Sequence, residues 1–115
     1  MPLEGVAVRA VLFNKLATVA SLYIPPNYAL SKTEFQSFMC ELPEPYIVVG
    51  DFNAHNTLWG DSHYDARGRL VENFLLSTDA CLLNTKEPTF CSVANNTSSS
   101  IDLSIASSTL IPYLQ

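Results

Sequence analysis

Asp51 and Asn53 stand where an apolar run meets a cluster of polar side chains, in Tyr46-Ile47-Val48-Val49-Gly50-Asp51-Phe52-Asn53-Ala54-His55-Asn56. A carboxylate only accepts hydrogen bonds, so it holds a hard cation or takes a proton from water, whereas a carboxamide both donates and accepts. Together they suit a phosphate oxygen and its nucleophile. If the extended backbone continues past Gly50, the two side chains, two positions apart, point to the same side. The competing reading is a solvated turn, which Asp and Asn after Gly commonly make. Spacing excludes a calcium loop, which would want Gly at Asn56 and Glu at Ser62.

Four other places carry candidate chemistry. Tyr23 ends an apolar run just before Pro25-Pro26, where the prolines forbid further ladder bonds; its side chain either reaches into a site at the sheet edge or packs. The stretch 54–66 holds His55, Asn56, Trp59, Asp61, His63 and Asp65, which is rich for a connector. An exposed Trp59 would stack on a base or sugar, and a buried one would make the loop a lid over the core; both readings stand. His55, His63 and an Asp fit no standard zinc spacing. Arg67 and Arg69 form the one close basic pair, used either on Asp61 and Asp65 or on a phosphate. Over 100–106 the alternation puts Ile101, Leu103 and Ile105 on one face and Asp102 and Ser104 on the other, so Asp102 meets either water or a polar site.

The elements that must position these groups are readable in outline. Two β-branched and aliphatic runs, 6–13 and 16–24, flank Asn14-Lys15 and predict an antiparallel hairpin. Ser31 opens a helix with the capping pattern Ser-x-x-Glu completed by Glu34; Phe35, Phe38, Met39 and Leu42 follow at helical spacing until Pro43 and Pro45 end it. The run 46–49 reads as a strand covered on both faces. A second amphipathic helix follows Asp65, with Leu70, Val71, Phe74 and Leu75 on its apolar face, ending near Thr78-Asp79. Short strands are expected at 81–84 and 89–93, a polar turn at 95–98, and a last strand at 100–106. The order strand, strand, helix, strand predicts a layered domain of helices on sheet.

Composition bounds the class. A chain of 115 residues with 48% hydrophobic and 15% charged residues is a globular single domain or part of one, not a disordered segment. No apolar stretch approaches a membrane span, and Met-Pro-Leu-Glu-Gly lacks the order of a secretion signal, so an intracellular protein, cytoplasmic or nuclear, is expected. A net charge of −5 argues against binding phosphates through a broad basic surface; a nucleic-acid partner would require metal ions or basic segments from elsewhere. Cys40, Cys81 and Cys91 show no ligand spacing and read as free thiols in a reducing compartment. The two acceptor patterns within Asn95-Asn96-Thr97-Ser98 read as chance.

Taken in order, Tyr23-Ile24-Pro25-Pro26-Asn27, Gly50-Asp51-Phe52-Asn53 and Ser100-Ile101-Asp102-Leu103-Ser104-Ile105-Ala106-Ser107 resemble the endonuclease/exonuclease/phosphatase superfamily. With Ala54-His55-Asn56-x-x-Trp59-Gly60, Arg67-Gly68, Leu83-Asn84-Thr85 and Pro88-Thr89-Phe90, the set is similar to the apurinic-type endonuclease domain of arthropod non-LTR retrotransposons, from about Val6 to Ser107. The resemblance implies an α+β fold, a two-sheet β-sandwich flanked by helices in four α/β/β/α layers. It also implies phosphodiester hydrolysis with Mg²⁺ or Mn²⁺, DNA as the substrate, and a reverse transcriptase segment in the parent polyprotein. It assigns Tyr23 to the scissile phosphate, Asp51 to the attacking water, Asn53 to holding Asp51 and a phosphate oxygen, and Asp102 to orienting a histidine. Asp51 and Asn53 are the implied metal residues, and Trp59 and Arg67 the implied nucleic-acid contacts.

Two parts of the family pattern have no match. The metal-binding Glu belongs to an early strand, and Glu4 has no suitable strand before it; the Ser-Asp-His segment would come after Gln115. The chain is therefore expected to be one partial domain, 1–115, lacking N- and C-terminal strands, with hydrolysis weak or lost. The rival expectations are a non-catalytic remnant that folds or binds a partner, a phosphatase acting on lipids or small molecules, and a plain structural domain.

Overall fold

A computed structural model describes residues 4–83, 90–92, 97–99 and 102–114. The first two strands, β1 (Glu4–Leu12) and β2 (Lys15–Tyr23), pair antiparallel with Leu12 opposite Lys15. Their two-residue turn is Phe13-Asn14, with φ of 53° and 65°, one residue earlier than expected. A tight hairpin needs left-handed backbone at both central positions, and the match of strand twist prevails over the poor suitability of Phe for that region.

Helix α1 (Lys32–Cys40) starts as the sequence predicts, with Ser31 accepting a hydrogen bond from the Glu34 amide at 3.0 Å. Only half of the capping box forms, because the Glu34 carboxylate instead accepts from the Tyr28 hydroxyl. This helix is the crossover that lays β3 (Tyr46–Asp51) parallel to β2. Helix α2 (Ala66–Ser77) begins on the Asp65 cap, which accepts from the Gly68 amide at 2.7 Å. The short β4 (Cys81–Leu82) follows, then a separate ribbon of β5 (Phe90–Ser92) and β6 (Thr97–Ser99). Strand β7 (Asp102–Ala106) inserts between β3 and β4, giving the mixed sheet order β1-β2-β3-β7-β4. The motif residues Asn84, Thr85, Pro88, Thr89, Ser100 and Ile101, and Asn95 and Asn96, lie outside the described residues, whereas Thr97 and Ser98, expected in a polar turn, belong to β6.

One face of this sheet is covered by helices. Ala20, Leu22, Val48, Leu103 and Ile105 are buried together with Phe35 and Met39 of α1 and Val71 and Phe74 of α2. Phe35 is central, meeting Phe52 and Phe74 edge to face with centroids 6.0 and 5.3 Å apart, the arrangement that ring quadrupoles favour. The opposite face is only partly covered. Beyond the strand ends the Ser107 hydroxyl accepts from the Tyr46 amide at 2.8 Å, and Tyr113 of α3 (Ile111–Leu114) stacks on Phe13 of the hairpin turn. Elsewhere Val6, Val8 and Val49 remain 70%, 56% and 39% exposed, which corrects the expectation that β3 is covered on both sides. The architecture is thus α+β, a mixed five-stranded sheet with helices α1 and α2 on one face and a separate two-stranded ribbon. Cys40 and Cys81 are free, Cys40 being exposed. Among the described residues no helix is long and apolar enough to cross a membrane.

Candidate active site

Sheet register brings the distant candidates to one place. Tyr23 is the last residue of β2 and pairs with Asp51, the last residue of β3; Asp51 in turn pairs with Asp102, the first residue of β7. Residues directly opposite each other on neighbouring strands share a face, so Tyr23 and Asp51 lie side by side on the face away from the helices. Tyr23 is 40% exposed and Asp51 half-buried, both accessible to solvent. The backbone of Asp102 continues the row, while its side chain lies outside what the structure describes.

Asn53 joins the row by a different route from the one expected. The strand stops at Asp51, and Asn53 takes a left-handed φ of 48°, so the extended spacing that would align the two side chains does not continue. Its backbone amide, not its side chain, holds Asp51, donating to Oδ1 at 3.0 Å. The side-chain Nδ2 donates to the Ile24 carbonyl at 2.8 Å, and the Ile24 amide donates to the Asp51 carbonyl at 3.0 Å. The exits of β2 and β3 are therefore laced together just beyond Tyr23 and Asp51. Gly50 permits this closeness: a Cβ there would lie 1.9 Å from the Leu22 carbonyl oxygen.

The loop after Asn53 proves to be a packed structural unit. Trp59 is fully buried and its indole N–H donates to the Ala54 carbonyl at 3.2 Å, so neither ring face is open for a base to stack on. This corrects its expected role as a nucleic-acid contact, and the lid reading describes it. Asn56, also buried, accepts from the Leu58 amide and donates to the Gly68 carbonyl and the Glu72 carboxylate. Asp65 accepts from the His55 amide as well as capping α2. His55 stacks on His63 at 4.6 Å, and its Nδ1 lies 3.3 Å from Asp61 Oδ2, an ion-pair distance without hydrogen-bond angles. Arg67 turns inward: Nη1 donates to the carbonyls of Pro25 (2.9 Å) and Phe52 (3.2 Å), and Nη2 to that of Tyr28. No sequence signal marks backbone carbonyls as partners, so this use of Arg67 was not readable beforehand. Arg69 lies over the Tyr64 ring at 4.8 Å instead.

Beside Asn53 opens a cleft of about 350 Å³, whose lining includes Tyr28, Leu30, Arg67 and Leu70. Among the described residues no three potential His, Cys, Asp or Glu ligands gather. Mg²⁺ and Mn²⁺ need fewer, being held by one or two carboxylates with waters and substrate oxygens. Asp51 offers a partly exposed carboxylate, the type of oxygen donor such a hard cation takes.

The family model "Endonuclease-reverse transcriptase" matches residues 17–114. The chain is 35% identical over 74 residues to the "RNA-directed DNA polymerase from mobile element jockey" of Drosophila funebris, covering 64% of this chain and 8% of that protein. It is 35% identical over 82 residues to the "Probable RNA-directed DNA polymerase from transposon X-element" of Drosophila melanogaster, covering 70% of this chain and 9% of that one. In fold it is similar to the "Endonuclease domain of TRAS1, a telomere-specific non-LTR retrotransposon", with a TM-score of 0.77 at 24% identity over 94% of this chain and 52% of that one. The chain thus spans about half of that solved domain and under a tenth of these two polymerases. With the row of matched residues at one end of the sheet and a family model over most of its length, this chain belongs to the endonuclease–reverse transcriptase family, within the endonuclease/exonuclease/phosphatase superfamily.

Proposed function

We propose that this chain carries the phosphodiester-hydrolysing site of a retrotransposon endonuclease domain, which nicks DNA with the help of Mg²⁺ or Mn²⁺. What supports this reading is the register that aligns Tyr23, Asp51 and Asp102 across three adjacent strands, with Asn53 pinned to Asp51. In this reading Asp51 orients a water and takes its proton as the water oxygen bonds to phosphorus. The bond to the leaving sugar oxygen breaks, and that oxygen takes up a proton. Tyr23 donates its phenolic hydrogen to a phosphate oxygen, and the free hydrogen of the Asn53 amide serves the same group. Asp102 orients a histidine; His55 and His63 are engaged with each other and with Asp61 on the loop after Asn53 and do not take that part. Asp51 and Asn53 would hold the cation, which would supply positive charge where negative charge grows on the phosphate oxygens. This matters in a chain of net charge −5.

The superfamily's metal-binding Glu and its terminal His find no match within these 115 residues. In the parent polyprotein the domain works beside a reverse transcriptase segment, in the cytoplasm or nucleus. Relaxation of supercoiled plasmid in Mg²⁺ tests the reading, with EDTA and Asp51→Asn as controls. Metal-dependent nicking that falls at least about 100-fold in Asp51→Asn supports it, in line with the loss of one essential group. Equal nicking by both proteins removes Asp51 from the mechanism, and no nicking by either favours the non-catalytic remnant.

A further inference from the structure

We propose that Arg67 is a positioning residue, a clamp that holds the exits of β2 and β3 in the relation on which Tyr23, Asp51 and Asn53 depend, and that it does not contact DNA phosphate. The proposal rests on the reading of those residues as the reacting constellation. Its observation is independent of that reading: one guanidinium donates to carbonyls from two separate segments. Pro25 and Tyr28 lie on the turn that follows Tyr23, and Phe52 lies between Asp51 and Asn53. A third element, the first turn of α2, supplies the side chain.

The chemistry requires arginine. Three acceptors spread over two loops call for a planar fork with donors in fixed directions, whereas a lysine ammonium is a compact point charge on a flexible stem. The stem also starts from a fixed place. The Asp65 cap sets the helix start, and Gly68 brings the helix so close to the neighbouring loop that a Cβ would lie 1.8 Å from the His55 carbonyl oxygen. Among the described residues no carboxylate pairs with Arg67, so its charge is met by carbonyl dipoles alone. With Nη1 donating to two carbonyls and Nη2 to a third, the end-on Nη1/Nη2 pair is committed within the protein, and only Nε and a single Nη2 hydrogen remain for any other partner.

Arg67→Met and Arg67→Lys, compared with wild type, test the clamp in two ways. Residue-level amide hydrogen exchange reads the clamp directly. Exchange at Ile24 and Asn53, whose amides close the lacing between the loops, is expected to rise at least about tenfold in both variants, while Val8 and Val19 in the hairpin stay unchanged. Anisotropy of a labelled DNA duplex at several salt concentrations reads the alternative. A positioning role leaves the slope of log K against log salt unchanged, whereas loss of a phosphate contact lowers it by about one in Arg67→Met and leaves it near wild type in Arg67→Lys. Where nicking is measurable, kcat falls at least about 30-fold in both variants with KM for DNA within about twofold. Unchanged exchange at Ile24 and Asn53, a slope lowered by about one, or full rescue by Arg67→Lys overturns the proposal. If Arg67→Met does not fold, Arg67→Lys is judged by the same exchange and rescue criteria. If wild type neither binds nor nicks DNA, the functional reading fails while the exchange result still decides the clamp.

Discussion

At Gly68 the helix backbone and the His55 carbonyl occupy the space a side chain would need, with an added Cβ 1.8 Å from the oxygen. Gly68→Ala is therefore expected to destabilise the chain by about 3 kcal/mol, read by urea denaturation, because neither a helix backbone nor a carbonyl yields cheaply. Tyr46 carries a pH dependence. Burial, reinforced by Glu44, Asp79, Cys40 and Cys81, pushes its phenol up to about 12 from the ordinary 10.0. The folded state thus favours the protonated phenol, so this contribution is fully present below pH 10 and is lost as pH rises toward 12. It amounts to about 2 kcal/mol. Tyr46→Phe should flatten that part of the stability curve, and an unchanged alkaline slope would count against this cause. Residue type and spacing singled out Asp51 and Asn53, whereas Tyr23 read equally as packing until motif order linked it to them, and its place beside Asp51 is visible only in the register of the folded sheet. Trp59 was not, because whether a loop indole is open or covered depends on what folds over it. The hydrogen bonds of Arg67 were not legible for a related reason: its acceptors are carbonyls of Pro25, Tyr28 and Phe52, which any residue provides.

Helix starts were the most legible elements, because a capping side chain is a local signal. Ser31 and Asp65 both cap, but with different loads. Ser31→Ala removes one bond to the Glu34 amide and should cost about 1 kcal/mol. Asp65→Ala removes both the Gly68 and His55 bonds and should cost about 2 kcal/mol. Thermal unfolding of the two variants checks the order, and a larger loss in Ser31→Ala would contradict the loop-anchoring role of Asp65. Strand positions were legible from alternation. Their order was not: nothing local in Asp102–Ala106 says that it pairs with β3 as well as with β4. The hairpin turn was displaced by one residue because Phe13 gives no turn signal, and its stacking on Tyr113 is visible only once both ends of the chain are folded.

The whole molecule is asymmetric across its sheet, packed by helices on one face and partly bare on the other, where Val6, Val8 and Val49 stand 70%, 56% and 39% exposed. Exposed apolar side chains gathered on one face favour association in water. Sedimentation velocity is expected to show concentration-dependent association that Val6→Thr/Val8→Thr/Val49→Thr abolishes; a wild-type chain monomeric at all concentrations would count against it. The same sheet has its latest strand near its middle, with β7 between β3 and β4. During synthesis, then, the hairpin and the parallel pair emerge early, but β3 stays an open edge until about residue 106 has left the ribosome. Before that moment Asp51 lacks its neighbour Asp102, so the row of Tyr23, Asp51 and Asp102 is complete only once the last strand has slotted in beside β3.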